Sequence, residues 1–180
     1  MASRAHGPSG VPWRLIGWGG AVALLLVPLV LQFPWTLSDF IFAGAVFGIV
    51  GGTFELAVRK SGNRWYRGGV AVALATSFLL VWINGAVGII GDEDNPANLM
   101  FMVIILMAVA GAIAARFEAA GMARAMFVAA GAETLIAVIA VANRLGATEP
   151  PGFPGVPILI LGFAGMWGLS GFLFRRAAVN

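Results

Sequence analysis

Leu99-Met100-Phe101-Met102-Val103-Ile104-Ile105-Leu106-Met107-Ala108-Val109-Ala110-Gly111-Ala112-Ile113-Ala114-Ala115 contains no charged or hydrogen-bonding side chain. As an α-helix this stretch reaches about 25 Å, close to the hydrocarbon thickness of a bilayer. Asp92-Glu93-Asp94-Asn95-Pro96-Ala97-Asn98 precedes it, and Arg116 and Arg124 follow. An apolar segment with acids at one end and arginines at the other reads as a membrane span with a defined direction.

Working outward, the pattern repeats. Span three covers 68–91 and span five covers 125–142, on either side of span four. Before span three lies Arg59-Lys60-Ser61-Gly62-Asn63-Arg64-Trp65-Tyr66-Arg67, with four positive charges and two aromatics suited to a headgroup boundary. Span two covers 36–58 and is entered through Phe33-Pro34-Trp35. Span one, 15–33, begins after Arg4 and Arg14. It is long for a signal peptide and no small-x-small cleavage site follows it, so it reads as a retained helix with a kink at Pro28. The segment 143–157, with Pro150, Pro151, Pro154 and Pro157, reads as an extended loop, and span six, 158–174, ends on Arg175-Arg176.

Six spans place both termini in one compartment. That side carries ten of the eleven basic residues, and Arg144 alone lies opposite, with Asp92, Glu93, Asp94 and Glu149. The expectation is an all-α membrane protein. It is a six-transmembrane-helix bundle, 15–174, with a cytoplasmic N-terminal tail, 1–14, a cytoplasmic C-terminal tail, 175–180, and both termini cytoplasmic. Composition agrees: of 180 residues 60% are hydrophobic and 11% charged, against roughly 25% charged in soluble domains. The bilayer is thus the first expected partner. The formal charge of +3 does not indicate nucleic acid, because the basic residues flank apolar spans rather than one soluble face.

Several chemistries are excluded. Cysteine is absent, the single histidine is His6, and the single lysine is Lys60 beside a loop. Thiol chemistry, an intramembrane bis-histidine site and a retinal Schiff base within the bundle all fail on that inventory. No phosphate-binding loop, nucleophile elbow or zinc-protease motif occurs, and the acidic outer segment lacks the spacing of a calcium loop. Asn95 and Pro96 instead suit the start of span four. No enzyme activity, cofactor or resident metal is expected.

Helices in lipid associate by close packing. Gly44, Gly48 and Gly52 form one stripe on span two, suited to a neighbouring span or a second copy. Gly162, Gly165, Gly168 and Gly171 form a row on span six that drifts around the helix and has Trp167 beside it. A crossing helix is the commonest filler of such a groove; a lipid tail or an apolar cofactor is the alternative. Arg59 and Arg67, like Arg116 and Arg124, are eight apart, which leaves open a hairpin repeat of spans two–three and four–five.

Ionisable groups at bilayer depth are functional candidates by default. Asp39 follows Thr36-Leu37-Ser38 and reads as a capping acid. Glu55, four residues before Arg59, reads as half of a helical ion pair, with a polar entry beside the glycine stripe as the alternative. Glu133 stands alone in the middle of span five. Thr76 and Ser77 on span three have similar depth, with Asn84 further out. The plain reading is a hydrogen-bonded staple between spans three and five. The functional one is a carboxyl that loads a proton or cation, or orients a ligand, with Asn84, Thr76 and Ser77 as its lining.

The run Val81-Trp82-Ile83-Asn84-Gly85-Ala86-Val87-Gly88-Ile89-Ile90-Gly91-Asp92-Glu93-Asp94-Asn95-Pro96-Ala97-Asn98-Leu99 resembles one found in uncharacterised multi-span proteins of proteobacterial inner membranes. Ala114-Ala115-Arg116-Phe117 and Gly121-Met122-Ala123-Arg124-Ala125 are similar to the same group. The resemblance covers spans three to five and implies a bacterial inner (cytoplasmic) membrane, without implying an activity. Three readings follow: an accessory or structural subunit of a larger membrane complex or homo-oligomer; a small proton- or cation-coupled transporter or channel-like protein using Glu133; and a binder of lipid, quinone or pigment. The first is favoured narrowly, because few polar groups point inward.

Overall fold

The computed structural model describes residues 13–148 and 150–180; Arg4, His6 and Glu149, with most of the expected N-terminal tail, lie outside the described residues. The described chain is helical throughout, with six α-helices: α1 (Trp13–Val30), α2 (Leu37–Lys60), α3 (Arg64–Ala86), α4 (Leu99–Ala114), α5 (Ala119–Asn143) and α6 (Gly152–Val179). Five helices, α2 to α6, are long and apolar enough to cross a membrane, with α4 counted together with the short 3-10 turn Pro96–Asn98 before it. The chain divides into two units, Met1–Thr53 and Phe54–Asn180.

In the first unit α1 contains Pro28. The Asp39 carboxylate accepts hydrogen bonds from the Thr36 backbone N–H (2.7 Å) and the Thr36 hydroxyl (2.8 Å), so it caps the start of α2. Gly51 admits the Trp18 ring, whose nearest carbon lies 2.9 Å from where a Cβ would stand, and a Cβ on Gly44 would lie 3.9 Å from Leu25.

In the second unit α6 packs against both α5 and α3, α5 also packs against α4, and α3 touches α4 only lightly. Small residues set the closest approaches. A Cβ on Gly111 of α4 would lie 2.7 Å from the Cβ of Ala125 on α5, and one on Gly69 of α3 would lie 3.0 Å from the Phe174 ring of α6. A Cβ on Gly171 of α6 would lie 3.1 Å from the Phe127 ring of α5.

Element ends differ from the hydropathy reading where a side chain sets them. Asn63 Oδ1 accepts the backbone N–H groups of Trp65 (2.8 Å) and Tyr66 (3.3 Å), so α3 starts at Arg64 and the connection from α2 is residues 61–63 alone. The Arg67 guanidinium donates to the carbonyls of Ser61 (2.7 Å) and Val58 (2.9 Å) and closes the end of α2. Pro154 and Pro157 lie within the first turns of α6 rather than in an extended loop; Phe153 is non-helical, and proline needs no N–H partner there.

The segment 87–98 is a compact knot. After α3 ends at Ala86, Gly88 adopts a φ of +73° and turns the chain away from the helix before Ile89 and Ile90, and Gly91 turns it again at +69°. Both isoleucines are fully buried. Asn98 holds the knot together: its Oδ1 accepts the N–H groups of Ile89 (3.2 Å) and Ile90 (2.9 Å), and its Nδ2 donates to the carbonyls of Ile90 (3.3 Å) and Asp92 (2.7 Å). Asn95 caps the 3-10 turn with Pro96 in its first position, so the expected cap lies one element before α4.

Candidate functional site

Glu133 lies midway along α5 and its side chain is fully buried. Its neighbours one turn away on the same helix, Ala129 and Ala137, are buried and apolar. Trp167, in the middle of α6, is buried as well, and its indole N–H lies near the Glu133 carboxyl. The two are not in hydrogen-bonding geometry. Glu133 Oε1, Glu133 Oε2 and Trp167 Nε1 are all buried without a hydrogen bond. Unsatisfied polar groups at such depth are uncommon and costly, which marks the pair for attention.

The other polar residues of the expected lining turn away. The Thr76 hydroxyl donates to the Val72 carbonyl at 2.7 Å and the Ser77 hydroxyl to the Ala73 carbonyl at 3.0 Å, each within α3. Thr134 does the same on α5, donating to Ala130 at 2.8 Å. Asn84 donates to the Leu80 carbonyl at 2.6 Å, and its buried Oδ1 has no hydrogen bond. The expected staple from Glu133 to Thr76 or Ser77 is therefore not formed: the helix packed against both α3 and α5 is α6, and it brings Trp167 to the carboxyl. The polar tie between α3 and α6 is made by Ser170, whose hydroxyl donates to the Gly69 carbonyl at 2.8 Å.

Glu55 is outside this cluster; it pairs with Arg59 at 2.7 Å on α2. Of the glycines singled out by spacing, Gly44 and Gly171 face a side chain within 4 Å, whereas Gly48, Gly52, Gly162, Gly165 and Gly168 face nothing within that distance. Among the described residues no three of histidine, cysteine, aspartate and glutamate gather as a metal site.

Two participants were not assigned from the sequence. The sequence sets Trp167 beside a groove, although a tryptophan in the middle of a long apolar helix rather than near its end is itself a signal. Ser170 carried no periodic signal. Chemically, in an apolar interior the carboxyl can take up and release a proton, and the indole beside it can only donate a hydrogen bond, to the carboxyl or to one small polar group.

Comparison with protein-family models, curated proteins and solved structures finds no match to this chain.

Proposed function

We propose that this is a multi-pass protein of a bacterial inner membrane, with six spans and both termini on the arginine-rich cytoplasmic side, whose working centre is Glu133 with Trp167. The carboxyl takes up and releases a proton or small cation inside the bilayer, and the indole N–H steadies it. One observation carries this reading: a fully buried carboxyl with neither oxygen hydrogen-bonded. A group retained at such a site for structure alone would be expected to have partners. The test is flux into proteoliposomes under an imposed potential, read by an internal pH dye and by cation-sensitive dyes. Wild-type protein should conduct, and Glu133→Gln should lose at least tenfold of the rate while keeping its helical circular dichroism. Equal flux in the two proteins, or none in wild type, would remove the proposal.

A second reading, as an accessory subunit of a larger membrane complex or a homo-oligomer, is favoured by Gly48 and Gly52 on α2, which have open space where a Cβ would stand. Gly48→Leu should then abolish a stoichiometric partner, or a second copy, that co-purifies from native membranes in mild detergent. A wild-type chain that purifies alone and monomeric argues against this reading.

A further inference from the structure

At the end of the second unit where α3 begins and α6 finishes, two guanidinium groups converge on one indole. Arg64 lies 4.8 Å and Arg176 5.1 Å from the Trp65 ring centroid, and Arg176 is also 5.2 Å from that of Phe172. The arrangement is fixed from beneath. Asn63 Nδ2 donates to the Ala177 carbonyl at 3.5 Å, and the Tyr66 and Phe174 rings meet edge to face at 5.2 Å. Both arginines are exposed, and neither has an acidic partner among the described residues. Each guanidinium keeps a fork of N–H donors matched to phosphate oxygens.

The surface leading away from this clamp is apolar. Phe172, Leu169 and Leu161 of α6 are all about half exposed, and they lie at helical spacing on the face that ends at Arg176. From Leu161 to Phe172 the helix rises about 16 Å, roughly half of a bilayer's hydrocarbon thickness. A positive clamp at the head of an apolar track one leaflet deep has the two-part chemistry of a phospholipid.

We infer that Arg64, Trp65 and Arg176 form a binding site for the phosphate headgroup of one anionic phospholipid, whose acyl chain lies along α6 past Phe172 and Leu169. The two arginines together should give about a thirtyfold preference for an anionic over a zwitterionic headgroup. The site is separate from Glu133 and stands whether or not that carboxyl carries protons.

Native mass spectrometry tests the assignment, with the full chain exposed to equal amounts of phosphatidylglycerol and phosphatidylcholine bearing the same acyl chains. Wild type should retain one phosphatidylglycerol. The Arg64→Gln/Arg176→Gln double variant should lose the preference, Trp65→Leu should weaken it, and the control Arg116→Gln/Arg124→Gln should keep it. Absence of a preference in wild type, or equal loss in the control, would reduce the site to diffuse charge and overturn the proposal. Displacement of the lipid by free glycerophosphate at comparable concentration would also overturn it, because the phosphate would then bind without its chains. Circular dichroism of each variant verifies folding.

Discussion

Asn98→Leu should destabilise the folded chain by about 2–5 kcal/mol, because it leaves buried backbone groups without partners. The substitution keeps much of the volume and removes four hydrogen bonds at once. The N–H groups of Ile89 and Ile90 lose their acceptor in a segment whose side chains are fully buried, where water does not replace it. Asn98→Asp separates the two halves of the role: it retains an acceptor for both N–H groups, but turns a negative charge toward the carbonyls of Ile90 and Asp92. It should fall between leucine and wild type. Gly88→Ala strikes the same knot differently. Its φ is +73° and a Cβ there would collide with the Asp92 carbonyl oxygen, so the loop has to move. Denaturation in mixed micelles followed by circular dichroism measures all three. A leucine variant that unfolds at the wild-type midpoint would show that the knot contributes nothing to stability.

The knot also marks where hydropathy stops being informative. Ile89, Ile90 and Gly91 are as apolar as the rest of span three, so a hydropathy window extends the span through them. The chain instead leaves the helix after Ala86, and the side chain that holds the turn, Asn98, lies well beyond it in the sequence. The opposite error occurs at helix starts. Hydropathy starts spans three and five at 68 and 125, leaving the charged Arg64 and Arg67 and the stretch 119–124 outside them, yet α3 and α5 begin at Arg64 and Ala119. At those ends the backbone responds to capping and to Arg67 reaching back to Val58 and Ser61, neither of which depends on polarity.

The helices themselves were legible, since a long uncharged run in this composition has few other folds. Glu133 was legible for the same reason: a lone acid interrupts such a run. Its surroundings were not. Periodicity shows which residues share a face but not which helix is opposite, and the staple to α3 assumed a neighbour that the fold does not supply. With α6 packed against both α3 and α5, the facing residue becomes Trp167, and Thr76 and Ser77 are satisfied within their own helix. The same limit applied to glycine. Regular spacing selected Gly162, Gly165 and Gly168, which have open space beside them, together with Gly171, which packs on Phe127, while Gly69 and Gly111, without a repeat, make equally tight helix contacts.

Glu133→Met should stabilise the protein by about 1–3 kcal/mol, the penalty of an unsatisfied buried polar group, while abolishing any flux that the carboxyl supports. The sign is the informative part. A carboxyl bonded to its neighbours stabilises the fold, and its removal weakens it. A carboxyl with both oxygens unpartnered and fully buried opposes the fold, and an apolar side chain of similar length relieves that opposition. Trp167→Phe should behave the same way on a smaller scale, because it removes one unpartnered N–H and keeps most of the ring. The double variant then reports whether the two groups interact. If the indole N–H steadies the carboxyl, the effects will not add, and the difference measures their coupling. Denaturation midpoints for the four proteins in one detergent, set beside their proteoliposome flux, complete the test. Stabilisation with loss of flux is the signature of a group kept for function against stability; a loss of stability in Glu133→Met would return Glu133 to the role of an interhelical staple.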